Sequence, residues 1–372
     1  MKIPFNKPHL TGKETHNIYD AVYSGKISGN GKYTNLCQDF FEKKYHFKKC
    51  LLTTSCTDAL EMAAILLNIK PGDEVILPSF TFVSTANPFI LRGAKMVFAD
   101  SCSDNPNIDH NSIETLITPK TKAIIVVHYA GIACDMDIIM DIAERHDLFV
   151  VEDAAHAIDS FYKGKPLGSI GHLGTFSFHE TKNIISGEGG MLAINDEQFI
   201  DRAEIIWEKG TNRSAFFRGE VDKYSWVDIG SSFLPSEVIS AFLFAQLECI
   251  DDIQNKRKEL WETYHNAFEP INGSRFKMAQ IPDYATNNAH MFYLVCNTNS
   301  ERDELIKTLK ENGIWAVFHY ISLHSSPFYL DKHDGRKLQH TDRYSECLVR
   351  LPLYYDLEKK EQEQIINIIK AM

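Results

Sequence analysis

From about residue 50 the chain keeps one rhythm, a short apolar run rich in β-branched residues followed by a stretch with helical periodicity. CLLTT (50–54) precedes DALEMAAILLNI (58–69), and DEVILPS (73–79) precedes TFVSTANPFILRG (81–93). KMVFAD (95–100) and KAIIVVHYAG (122–131) lead into DMDIIMDIAERHD (135–147). LFVVEDAAH (148–156), GTFSFH (174–179) and GMLAIN (190–195) lead into DEQFIDRAEIIWEKG (196–210). Strands this continuously apolar are buried on both faces, as in a mainly parallel sheet covered by helices. The pattern therefore predicts an α/β domain. In such sheets ligands bind beyond the carboxyl ends of the strands, so the residues that directly follow each run carry the most information.

The rest of the chain reads differently. From Pro235 to Phe268 the periodicity predicts one long helix of roughly 50 Å, enough to leave one domain and enter another. HMFYLVCN (290–297) and IWAVFHYISL (314–323) read as strands, SERDELIKTLKENG (300–313) and LEKKEQEQIINIIKAM (357–372) as helices. The expected organisation is a large α/β domain over 1–250, with an N-terminal arm around Gly25, Gly29 and Gly31, and a small α+β domain over 251–372. The 39 basic and 50 acidic residues leave a net charge of −11 with no basic run, which argues against a nucleic-acid binder. No apolar run approaches a membrane span, and MKIPFNKPHLTGKE lacks the apolar core of a signal peptide. The eight cysteines are scattered without a C-x-x-C pair. We expect free thiols in a reducing cytoplasm, with no zinc site.

Four strand ends stand out. LFVVEDAAHA ends in Asp153, with His156 three residues later. Asp153 either caps the next helix or holds a negative charge against a cationic ligand group. TTSCTDAL places Ser55 and Cys56 at a helix start, and Ser55-x-x-Asp58 fits a capping box. The same start is also a ready anion cup. Phe82, just past DEVILP, is either core or a plate for a planar ligand. GTFSFHETKN supplies Ser177 and Lys182. An isolated lysine beside glycines is commonly a solvated loop residue, yet a partly desolvated one forms Schiff bases with carbonyls.

In combination the alternatives narrow. An anion cup, an aromatic plate, a carboxylate and a lysine, in that order along an α/β chain, are the parts needed to hold pyridoxal 5′-phosphate. EDAAHA (152–157), FSFHETKN (176–183) and GEGGML (187–192) closely resemble the DegT/DnrJ/EryC1/StrS group of sugar-nucleotide aminotransferases, and the resemblance covers essentially the whole chain. It implies the fold-type I pyridoxal-phosphate architecture, a large domain with a mainly parallel mixed sheet covered by helices plus a small C-terminal α+β domain. AEIIWEKGTNRSAFFRGEVDKYSWVDIGSS (203–232) and the HMFYLV and VFHYISLH segments are most similar to members that aminate dTDP-4-keto-6-deoxyglucose at C4, with L-glutamate as donor, to give dTDP-4-amino-4,6-dideoxygalactose.

The resemblance also implies roles. Lys182 would carry the internal aldimine and shuttle a proton in a ping-pong reaction. Asp153 would pair with the pyridinium nitrogen, His156 would approach the phenolic oxygen, and Phe82 would pack on the ring. The backbone amides of Ser55 and Cys56 and the Ser177 hydroxyl would hold the phosphate. The active site would lie at a homodimer interface. The 210–232 loop, with Arg213, Arg218, Lys223, Tyr224 and Trp226, would reach into the partner chain toward the sugar nucleotide, unless it is merely an exposed basic and aromatic loop. His319 and Tyr320 either line the sugar pocket or serve packing. Many relatives carry an asparagine in the partner-chain loop; DIGSSFLPSE has none, and Ser231 or Ser232 is the substitute. Lysine in HETKN argues against the related dehydratases, which use histidine there.

Three other readings remain. Another keto sugar, or C3 rather than C4, would fit the same chemistry. A non-catalytic regulator binding the cofactor or a sugar nucleotide is opposed by the intact Lys182, Asp153 and His156. A nicotinamide dehydrogenase needs G-x-G-x-x-G after the first strand, where TTSCTDAL stands.

Overall fold

In the computed structural model, which describes residues 2–372, the apolar runs of the first half become one seven-stranded sheet. Its strands are β1 (Lys49–Thr53), β2 (Glu74–Pro78), β3 (Lys95–Ala99), β4 (Thr121–Val127), β5 (Phe149–Asp153), β8 (Leu173–Ser177) and β9 (Gly190–Ile194), while β6 (Phe161–Tyr162) and β7 (Lys165–Pro166) form a separate ribbon. The order is β1-β9-β8-β5-β4-β2-β3. The sheet is parallel from β3 to β8, and β9 lies antiparallel between β8 and β1. Successive side chains of a strand point to opposite faces. Accordingly Leu51, Val75, Ile125 and Val151 enter one core, and Leu52, Ile76, Ile124 and Val150 enter the other.

The helices that cover these faces are α1 (Glu14–Tyr23), α2 (Lys32–Tyr45), α3 (Cys56–Leu66), α4 (Asn87–Leu91), α5 (His110–Leu116), α6 (Met136–Arg145), α7 (Ile200–Trp207), α8 (Arg213–Phe217) and α9 (Glu237–Leu247). α2 and α6 pack on one face, α3 and α7 on the other. α1 lies against α9 and belongs to the arm. The buried Glu237 carboxylate accepts from the backbone N–H groups of Gly31, Tyr33 and Thr34 at 2.9, 2.7 and 3.1 Å. It satisfies the otherwise unpaired start of α2 and favours it electrostatically. Gly31 is required there, because a Cβ would lie 2.6 Å from the Glu237 carboxyl carbon.

The single long helix expected over 235–268 is two helices, α9 and α10 (Ile250–Phe268). Cys249 leaves helical geometry at φ −114° and ψ 15°, and Asp251 and Asp252 occupy the first turn of α10, where carboxylates favour a new helix start. α10 makes the crossing by itself. Ile250 and Ile253 pack in the large core, whereas Leu260, Trp261, Tyr264 and Phe268 pack in the small one. The helical reading of 81–93 shrinks to a short 3-10 turn, Val83–Thr85, and the five-residue α4. Pro88 cannot donate within a helix and suits only its first turn.

The small unit has a four-stranded antiparallel sheet of β10 (Phe276–Met278), β11 (Phe292–Cys296), β12 (Val317–Phe318) and β13 (Leu348–Leu351), ordered β10-β11-β13-β12. α11 (Asn299–Glu311), α13 (Lys359–Ala371) and the end of α10 pack on one face of it. α12 (Gln339–Cys347) leads into β13. The other face carries Tyr293, Val295 and Leu348 against Phe80 and Tyr129 of the large unit. The strand expected over 314–323 is only β12. Beyond Phe318 the chain leaves the sheet, which carries His319 and Tyr320 away from it. Among the described residues no helix is long and apolar enough to cross a membrane.

Candidate active site

The carboxyl ends of β2, β5 and β8, the start of α3 and the inner face of the small sheet enclose a cavity of 610 Å³. Ser55, Cys56, Phe82, Asp153, His156, Ser177, Lys182, His319 and Tyr320 all line it. Sequence positions more than 250 residues apart therefore meet in one place.

At the start of α3, the Asp58 N–H donates to Ser55 Oγ at 3.1 Å. The reciprocal half of the expected capping box is missing, because the Asp58 carboxylate accepts from the Thr54 hydroxyl instead. Gly190, the first residue of β9, packs against this turn; a Cβ there would lie 2.3 Å from the Ser55 carbonyl carbon and 2.4 Å from the Cys56 nitrogen. Backbone can approach the cup this closely only without a side chain. The start of α3 and the Ser177 hydroxyl line the same cavity, and the unpaired amides of a helix start are chemically suited to an anion.

Asp153 is 5% exposed at the end of β5. Thr85 Oγ1 donates to its Oδ2 at 2.7 Å, and the Ala155 N–H to its Oδ1 at 3.2 Å. Burial raises its carboxyl above the ordinary value; these two bonds and the charge of Lys182 pull it back. The neighbouring Glu152 points the other way, as strand alternation requires. It accepts from Gly168, Ile170 and Gly171 at 2.8, 2.7 and 2.6 Å and pairs with His128 at 2.8 Å, so it organises the loop before β8.

Lys182 does not stand at the strand end itself. β8 stops at Ser177, and Lys182 lies in the return toward β9, in a turn closed by its N–H to the His179 carbonyl at 2.9 Å. That return is fastened by Ser186 N–H to Phe178 O at 2.7 Å and Phe178 N–H to Gly189 O at 2.8 Å. The fixed loop aims the side chain. Lys182 is half-buried, and loss of solvation lowers its ammonium to about 8; Arg350 reinforces the shift, while Cys56 and Asp153 oppose it.

His156 is buried and stacks on His290 at 4.4 Å. Burial, then the charges of Lys182 and Arg350, hold it well below the ordinary histidine range, so it is neutral. Its Nδ1 is buried and has no partner within the protein. Asn288 Nδ2 donates to the His156 and Ile158 carbonyls at 2.8 and 2.7 Å and ties this segment to the small sheet. His319 lies 3.1 Å from the Tyr129 hydroxyl through Nδ1 and 3.1 Å from Arg350 Nη1 through Nε2. Phe82 is 55% exposed and 6.1 Å from the Tyr320 ring.

The sequence reading missed Thr85, His290 and Arg350. A lone arginine inside the apolar run LVRLPL is a readable signal, since a charge on a buried strand needs a reason. The remaining candidates lie elsewhere in this chain. Arg213 and Ser232 share a second hollow with Lys26 and Asn30. Arg218 is paired with Glu204 and Glu220, each at 2.7 Å. Tyr224 is exposed and packs on Phe216 at 5.6 Å, and Lys223 is exposed beside it.

The cavity fits pyridoxal 5′-phosphate. It offers a cup whose glycine leaves no room for a side chain, a buried carboxylate, an unpartnered buried imidazole nitrogen and a lysine with a lowered pKa. Residues 8–370 match the DegT/DnrJ/EryC1/StrS aminotransferase family. The spore coat polysaccharide biosynthesis protein SpsC of Bacillus subtilis is 33% identical over 99% of this chain and 96% of its own. A protein named as a sugar aminotransferase, Spr1654 of Streptococcus pneumoniae, has been solved in PMP and PLP forms. Its PMP form is 27% identical, covers 99% of this chain and 98% of that one, and superimposes with a TM-score of 0.91. DesV of S. venezuelae, solved with a ketimine intermediate, is 27% identical over 100% of this chain and 98% of its own, with a TM-score of 0.90.

Proposed function

The chain belongs to the DegT/DnrJ/EryC1/StrS aminotransferase family, and from that premise we propose that it moves the amino group of L-glutamate to C4 of a nucleotide-linked 4-keto-6-deoxy sugar. It is a pyridoxal 5′-phosphate-dependent sugar aminotransferase. The acceptor we assign is dTDP-4-keto-6-deoxyglucose, and the product dTDP-4-amino-4,6-dideoxygalactose. The observation that carries the reading is the meeting of Lys182, Asp153 and the α3 cup in one cavity.

When bound, the cofactor supplies an aldehyde and a pyridine ring that draws electrons from the reacting carbon. The protein does the rest. Ser55, Cys56 and Ser177 would hold the phosphate, and Gly190 keeps the cup open. Asp153, fixed by Thr85, would hold a proton at the ring nitrogen. Phe82 would cover a ring face, and His156 stays neutral beside the site. The Lys182 amine, with its lowered pKa, is the base that takes a proton from the donor's α-carbon and returns one to the acceptor's C4. The partly enclosed cavity limits water access to these groups.

We further infer a cytoplasmic homodimer. Trp226 is 82% exposed, with Phe217, Val227 and Ile229 also exposed on the same loop, an apolar display suited to burial against a second copy. Sedimentation of wild type and Trp226→Glu tests it; a monomeric wild type rejects it.

The central test is an absorbance spectrum of the protein with added cofactor, before and after L-glutamate, for wild type and Lys182→Ala. The expected result is a visible band in the wild type that glutamate bleaches and dTDP-4-keto-6-deoxyglucose restores, with NMR locating nitrogen on C4. A Lys182→Ala protein with undiminished turnover, or a product aminated at C3, defeats the corresponding part of the reading.

A further inference from the structure

The return from β8 to β9 sets two polar side chains face to face that cofactor binding leaves unused. The Phe178 N–H donates to the Gly189 carbonyl at 2.8 Å, and the Glu180 N–H to the Gly187 carbonyl at 2.9 Å. These two bonds bracket His179 on one segment and Glu188 on the other, so backbone register holds the pair in place. Both side chains line the cavity. They share their loop with Lys182, whose N–H donates to the His179 carbonyl at 2.9 Å.

Hydrogen bonding fixes the chemistry of the pair. The Thr181 N–H donates to His179 Nδ1 at 3.3 Å, and the Thr181 hydroxyl lies 3.0 Å from the same nitrogen. A ring nitrogen that accepts from an amide carries no proton, so the imidazole proton is on Nε2. Nε2 is 3.8 Å from Glu188 Oε1, beyond hydrogen-bond reach. Of the two acids that line the cavity, Asp153 is engaged by Thr85 and Ala155, whereas the Glu188 carboxylate has no hydrogen bond among the described residues. The side chains of His179 and Glu188 are 40% and 68% exposed, so their mutual attraction contributes little to stability.

A donor and an acceptor this close select a ligand group that answers both. An anion is drawn to Nε2–H but repelled by the carboxylate. A methyl group leaves both unanswered. A hydroxyl accepts from one and donates to the other. The exposure of the pair places it at the rim of the cavity, while Asp153 and His156 are buried within it. A rim site suits a ligand that is only partly enclosed, such as a sugar with a nucleotide attached.

We propose that His179 and Glu188 bind the hydroxyl next to the keto carbon of the acceptor sugar, with Nε2–H donating to its oxygen and the Glu188 carboxylate accepting its hydrogen. This rests on the aminotransferase reading. Because His179 and Lys182 share one turn, a hydroxyl held there turns the neighbouring carbonyl carbon toward the lysine. A sugar bound the other way round loses both bonds, so the pair selects the orientation in which the sugar is aminated.

The test offers two acceptors to the amine-loaded holoenzyme, dTDP-4-keto-6-deoxyglucose and its counterpart without the C3 hydroxyl, and reads each by return of the visible band. In the wild type the hydroxylated sugar is expected to lead by about 10- to 100-fold in kcat/KM, the worth of one neutral and one charge-assisted hydrogen bond. That preference falls by about tenfold in Glu188→Ala, by about threefold in His179→Ala, and vanishes in the double variant. A merely structural role lowers both sugars alike and leaves the wild-type ratio standing, which overturns the proposal, as does a wild type with no preference. Glu188 is exposed, so its variant serves where a histidine variant does not fold. A wild type whose band glutamate does not bleach, or neither sugar restores, overturns instead the function on which the proposal stands.

Discussion

The cavity has one wall on the large sheet and one on the small, and the two satisfy their polar groups in opposite ways. On the large wall Asp153 accepts two hydrogen bonds, Ser55 caps α3, and Gly190 packs onto the cup. On the small wall Arg350 has a buried donor with no partner and holds only His319. The large wall is thus mostly satisfied, with His156 Nδ1 its unpartnered buried atom, and suits a guest that stays, whereas the free donor of Arg350 on the small wall suits one that comes and goes. On the proposed function the cofactor would belong to the first and the substrates to the second.

The largest effect expected on the large wall comes from Asp153→Asn. The amide preserves shape and the Thr85 bond but cannot hold the ring proton, so bleaching of the visible band by glutamate slows by about 10²-fold or more in stopped flow. A rate near wild type would mean that the carboxylate only caps. Next is Gly190→Ala. Its methyl meets the Ser55 and Cys56 backbone, which cannot retreat as a side chain could. Overpacking of about 1–3 kcal/mol is expected, seen as a lower Tm and roughly tenfold weaker cofactor retention on dialysis.

The pH dependence of cofactor attachment to the cofactor-free protein comes third. Only the neutral Lys182 amine attacks an aldehyde, so the rate rises by about tenfold per pH unit well below the lysine's own value and levels off above about 8. A rate still climbing toward about pH 10 would match an ordinary lysine and contradict the lowered value. The smallest effect is Lys223→Ala, on neither wall of this chain's cavity. Bleaching by glutamate changes by less than about twofold; a rise in KM confined to the sugar nucleotide would bring the 210–232 loop into a partner's cavity, and no change at all would leave it an exposed loop.

The large wall was legible because its residues directly follow apolar runs. In a parallel sheet the carboxyl ends lie along one edge, so Ser55, Phe82 and Asp153 converge once the strands are recognised. Lys182 was read as belonging to a strand end, but β8 stops at Ser177 and a fastened loop carries the lysine into the cavity. The small wall was less legible. His290 stands just before β11 and Arg350 inside β13, and nothing local says which face of that sheet meets the large unit. The helix over 235–268 misled because its apolar periodicity runs through Cys249: Leu247 and Ile250 pack in the same core although the backbone between them leaves helical geometry.

The amino-acid order alone determined the α/β architecture, through its periods of apolar residues, and put the helix start at Ser55, the carboxylate of Asp153 and Lys182 at or near the ends of apolar runs; the roles of those three came from their combination and from the family resemblance. Only the tertiary structure decided that Arg350 and His319 face Lys182, that Arg213 and Ser232 do not, and that Lys182 sits among groups that lower its pKa. Those outcomes depend on how two sheets approach each other and on solvent exclusion between them, quantities that no single stretch of chain carries.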